Sequence, residues 1–207
     1  PLILRTKPES LIIHSAIDAL AHAIEAYMSR IASPFTEMHS LKAVDLILKH
    51  LPTAVASRSL EALEQLSIAS VSASMAFSNA SLGAEHALAH SLGGQFDMQH
   101  GVIHPILLPS FMRFNLPFNA KKMAELCRVI LGRRESSDEN TAQAGIKKLE
   151  DFFASFNVPL RLGEIIPRQE QATLAGISRM AVQDACNLTN AKPATWEEFL
   201  QIIEEVW

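Results

Sequence analysis

Glycine is scarce here, with eight residues in 207, and none form the G-x-G-x-x-G loop that cradles a dinucleotide phosphate. A nucleotide cradle of that type is excluded from these residues. Cysteine is scarcer still. Cys127 and Cys186 sit in helix-like segments without partner spacing, which excludes a disulfide framework. They read as reduced, buried thiols of a cytoplasmic protein. No run of about 18 apolar residues occurs, so a membrane span is not expected, and no secretory leader pattern is present. The formal charge of −4 leaves no basic footprint for nucleic acid. No segment alternates apolar and polar residues as a half-buried strand does. Internal repeats and low-complexity linkers are missing too. The chain opens on Pro1 instead of methionine, which reads as a fragment or a processed product.

What remains is a composition 48% hydrophobic and 19% charged, suited to one domain with a substantial core. Apolar residues recur at helical spacing from Glu9 to Arg30, through Leu11, Ile12, Ala16, Leu20, Ala23, Ile24 and Tyr27. Ser33-Pro34 starts a second helix that Leu51-Pro52 should interrupt. Ser59 caps a third, rich in Ala and Ser to about Asn79, whose small residues suggest close packing on several sides. A helix from Glu85 should stop at Gly93-Gly94, because glycine accepts the left-handed conformation of a helix end. The apolar stretch from His100 reads as a buried helix kinked near Pro109. Helices also read over Asn119 to Leu131, Thr141 to Phe156 and Pro167 to Ala185. The last, Thr195 to Val206, opens on T-W-E-E, a capping box. The fold class is all-α, a bundle of about eight or nine helices.

Four of the eight histidines fall between Ala84 and Pro105, namely His86, His90, His100 and His104. Histidine is the commonest metal ligand and general acid–base, so this crowding raises a site hypothesis. His86 and His90, four apart, share a helix face. A glycine stop and returning loop could bring His100 beside His86, with Gly101 permitting a tight turn. The plain alternative is a set of core or surface histidines. Asp18 and His22 are also four apart, on an otherwise apolar helix where a carboxylate needs a partner or a metal. Alone, that pair reads as a hydrogen-bonded couple. His39 and His50 read as solvated or packing residues, and His104 receives no role.

Together, D-A-L-A-H-A-I-E-A-Y and E-H-A-L-A-H-S-L-G-G-Q-F-D-M-Q-H-G resemble the two signature stretches of the iron-containing (group III) alcohol dehydrogenase family. The resemblance runs along the whole chain and implies that family's C-terminal helical domain, of the dehydroquinate synthase-like kind. By position it implies metal ligands Asp18, His22, His86 and His100. His90 matches a family histidine near the nicotinamide and substrate, and so carries both a catalytic and a cofactor-binding role. Gln99 replaces a common proline and Ala16 a common glycine; neither is a ligand position. One carboxylate and three imidazoles suit Fe(II), with Zn(II) or another divalent ion also compatible. The implied activity is NAD- or NADP-linked interconversion of a small alcohol with its aldehyde or ketone, by a homo-oligomeric, cytoplasmic enzyme without nucleic-acid or membrane partners. Residues 1–207 are expected to form one helical metal-binding domain, with the α/β nicotinamide domain absent, so the chain alone should turn over little alcohol. The alternatives are a stand-alone helical metal-binding module and a glycerol dehydrogenase- or dehydroquinate synthase-like relative.

Overall fold

A computed structural model describes all 207 residues, and every regular element in it is helical. Helix α1 (Glu9–Met28) is followed by α2 (Pro34–Ser57) and α3 (Leu60–Ala80). Then come α4 (Ala84–Phe96), α5 (His100–Asn115), α6 (Ala120–Leu131) and α7 (Asp138–Ala154). The chain ends with α8 (Gln171–Gln183), α9 (Ala185–Thr189) and α10 (Trp196–Glu205). None of them is long and apolar enough to cross a membrane.

There are ten α-helices, not eight or nine. The addition is α9. Asp184 adopts an extended conformation that ends α8, then accepts from the Cys186 N–H and restarts the helix. Two other expectations also change. Helix α2 passes through Pro52 unbroken, because Leu51 and Ala54 on either side are fully buried and hold that turn in the core. Helix α4 passes through Gly93-Gly94. Its left-handed terminus falls at Asp97 (φ 52°), and the N–H groups of Asp97 and Met98 both donate to the Gly93 carbonyl. The capping box at Thr195 and Glu198 forms as the sequence indicates.

The apolar side chains form two main cores. One joins α1, α2, α3, α6 and α7; the other joins α4, α8 and α10. Helix α5 is the wall between them. Its Leu108 and Met112 face the first core, while Ile103, Leu107 and Phe111 face the second. Alanines let α1 and α3 approach closely, as at Ala26, Ala76 and Ala80. Helix α3 is not enclosed all round, however: Ile68, Val71 and Met75 are exposed on its outer side. The site sits where α1, α4 and α5 converge. Gly101 makes that convergence close, since a Cβ there would lie 2.3 Å from the His14 carbonyl oxygen. Its role is thus contact between α1 and α5, not a turn, because it lies inside α5.

Candidate metal centre

Asp18 and His22 project from the middle of α1, one turn apart. His86 and His90 do the same on α4, and His100 is the first residue of α5. All five border one cleft of about 450 Å³, with His14 and Gln99 at its rim. Ligand atoms of Asp18, His22 and His86 lie within 4.8 Å of one another. The His22 and His86 rings stack at 4.6 Å between centroids. His100 borders the same cleft without joining that tight trio; its ring is 5.1 Å from His90 and 6.1 Å from His104. His90 lies 5.9 Å from His86, on the shared α4 face.

Behind these residues is a buried layer that the sequence patterns do not single out. Glu25 reaches from α1 to the N-terminus of α4 and accepts from the backbone N–H groups of Gly83, Glu85 and His86. An anion at a helix N-terminus is favoured by the exposed N–H groups and the helix dipole. The same carboxylate lies 2.6 Å from His86 Nδ1. A carboxylate only accepts, so Nδ1 carries the proton and Nε2 is directed away from Glu25. Gly83 is needed for this approach, because a Cβ there would be 2.6 Å from Glu25 Oε1. Glu25 lies seven residues beyond Asp18 and three beyond His22, so its place on the same α1 face was a readable signal.

His104 belongs to the site as well. Its ring is wholly buried, with Nδ1 2.8 Å from Glu85 Oε1 and Nε2 3.0 Å from Asp18 Oδ1. Both nitrogens face carboxylates, so both donate and the ring is held as an imidazolium. No short-range pattern marks it, since Glu85 and Asp18 come from two other helices. At the cleft mouth, Asp184 Oδ2 is 2.7 Å from Nδ1 of the half-exposed His90.

The electrostatics follow from these contacts. Burial pushes the His22 imidazolium down to about 3, and the nearby His86 charge adds to this. His22 is therefore neutral and available as a ligand near pH 7. Burial opposes the charged form of His86, but hydrogen bonds to Glu25 and Glu85 win and raise it to about 10. Burial likewise works against the Asp18 carboxylate; the His104 hydrogen bond and the His22 charge outweigh it and hold Asp18 below its ordinary range. Burial lowers His100, helped by the charges of His104 and His90.

His86 Nε2 supplies a test of whether a metal suits this arrangement. It is buried and has no hydrogen-bond partner within the protein. Such an atom is costly unless something satisfies it. It lies beside the oxygen of Asp18 and the ring of His22, and its Nδ1 is anchored to a carboxylate, the pattern that orients metal-binding histidines. The donors are oxygen and nitrogen without sulfur, which fits a first-row divalent ion.

Residues 12–207 match the Fe-containing alcohol dehydrogenase family, C-terminal. The chain is 34% identical over 209 residues to 1,3-propanediol dehydrogenase of Citrobacter freundii, covering 100% of the chain and 54% of that protein. It is 33% identical to the NAD-dependent methanol dehydrogenase of Bacillus methanolicus, covering 99% and 54%. A solved structure of 1,3-propanediol oxidoreductase superposes with a TM-score of 0.94 at 33% identity, covering 100% of this chain and 54% of that one. The chain thus spans about half the length of the relatives it matches.

Proposed function

Because the chain belongs to the iron-containing alcohol dehydrogenase family, we propose that it is the metal-binding helical part of an enzyme that interconverts a small alcohol and its aldehyde or ketone with NAD or NADP. The observation that carries this reading is the partnerless, buried His86 Nε2 beside Asp18 and His22. Asp18, His22, His86 and His100 would hold the ion, Fe(II) by the family's name, with Zn(II) equally suited to the donors. When bound, the ion supplies Lewis-acid stabilisation of a substrate oxygen, and the nicotinamide supplies hydride chemistry.

The chain's own residues do the rest. Glu25 fixes the His86 tautomer so that Nε2 faces the cleft. Asp184 does the same for His90, aligning that ring at the mouth of the cleft. His90 is half exposed, so it can pass a proton between a hydroxyl in the cleft and water. Behind His86 the buried Glu25, Glu85 and His104 fill the space that water would otherwise occupy. The nicotinamide is assigned to an α/β domain outside these residues, and the 207-residue chain alone should turn over little alcohol. The holoenzyme is proposed to be a cytoplasmic homo-oligomer without nucleic-acid or membrane partners, as the family resemblance implies; the formal charge of −4 offers no basic footprint for nucleic acid.

The test is metal content after anaerobic purification with iron or zinc. The chain should retain about one ion per copy, and His86→Ala should retain essentially none. Undiminished metal in that variant would rule out the assigned centre.

A further inference from the structure

Asp18 offers its two oxygens to different neighbours. Oδ1 lies 3.0 Å from His104 Nε2, and Oδ2 lies 3.6 Å from His22 Nδ1 on the cleft side. The far nitrogen of His104 is 2.8 Å and 3.0 Å from the two Glu85 oxygens. Neither His104 nor Glu85 has exposed side-chain surface. The His104 ring therefore cannot swing away without taking from buried Glu85 the closer of its two imidazole partners, the other being His86 Nδ1 at 3.3 Å. Three helices meet in this chain of contacts: α4 provides Glu85, α5 provides His104 and α1 provides Asp18.

We propose that His104, locked by Glu85, is a positioning residue that occupies Asp18 Oδ1, so that Asp18 binds the ion through Oδ2 alone. The inference rests on the metal-centre reading above and extends it to His104 and its buried partner Glu85, neither of which is among the assigned ligands. Its physical content is preorganisation. A carboxylate with one oxygen already engaged presents a single lone-pair direction to the cleft and loses less freedom when an ion binds. It also leaves a coordination position open on the cleft side, which a second Asp18 oxygen would otherwise compete for.

The experiment uses the 207-residue chain and Co(II) and Zn(II) as probes, with affinity from chelator competition and geometry from the Co(II) visible spectrum. The main variant is Glu85→Leu with His104→Leu, because replacing a buried ion pair by apolar residues of similar size is often tolerated. Affinity should fall roughly tenfold to a hundredfold. The Co(II) bands should lose intensity as the freed Oδ1 joins the coordination. Glu85→Gln alone keeps an amide against His104 Nδ1, so Asp18 keeps its donor and the Co(II) spectrum should match the parent chain. Should the leucine pair fail to fold, Glu85→Gln with His104→Asn asks the same question, since the shorter amide at position 104 reaches the side chain at position 85 or Asp18 but not both. Affinity and spectrum unchanged in the double variants would overturn the proposal. Loss of binding as complete as in His86→Ala would overturn it too, by making His104 a ligand. Metal binding unaffected by His86→Ala would instead remove the centre itself, and the proposal with it.

Discussion

With Nδ1 against Glu25 and Nε2 unpartnered, His86 is the residue on which the proposed metal loading would turn, and its proton contributes to the pH dependence. In the metal-free fold its imidazolium is raised from 6.5 to about 10. The stability from that proton is complete below pH 6.5 and is lost as pH rises through about 10, because the unfolded chain has already released it. The melting temperature of chelator-treated protein should therefore fall across that window, and His86→Ala should flatten the fall. The proton also competes with the ion. Zinc affinity should rise about tenfold per pH unit for each proton displaced, up to the same limit. Calorimetry in buffers of different ionisation enthalpy would count the protons released; no release at pH 7 would contradict the assignment. The crowded histidines of α4 and α5 raised a site hypothesis from spacing alone, whereas Asp18 and His22 joined it only through the family resemblance. The role of His104 was not legible, because its partners come from two other helices.

Among the elements, α1, α4 and α5 carry the site, and their fit depends on small residues at the crossings. Gly101→Ala would put a Cβ 2.3 Å from the His14 carbonyl oxygen, so α1 and α5 must part. That should cost roughly 1–3 kcal/mol in a urea titration. It should also weaken metal retention, since His100 and His104 move with α5. By contrast, Thr195→Ala removes only the cap of α10, whose side chain accepts from Glu198 N–H. It should cost about 1 kcal/mol and leave metal binding unchanged. Capping boxes were readable because they are local. The end of α4 was misread at Gly93-Gly94 because glycine permits a left-handed stop without requiring one, and Asp97 takes that conformation instead.

At the scale of the whole molecule, α5 holds two cores together, and Phe111 is its largest buried side chain there, 5.9 Å from the Phe199 ring. Phe111→Ala should destabilise the chain by roughly 3–5 kcal/mol, read from its denaturant midpoint. Its metal affinity, measured where the variant remains folded, should change little, because the cavity opens on the side of α5 facing α10. The amino-acid order by itself determined the all-helical class, most helix positions and the histidine and aspartate pattern, because these depend on periodicities of three to four residues. Only the tertiary structure decided that Glu25 would cap α4 and anchor His86, that Glu85 and His104 would back Asp18, and that Asp184 would hold His90. Those contacts join residues 19 to 94 positions apart. What brings them together is the burial of apolar faces elsewhere on the same helices, and no local rule of spacing carries that information.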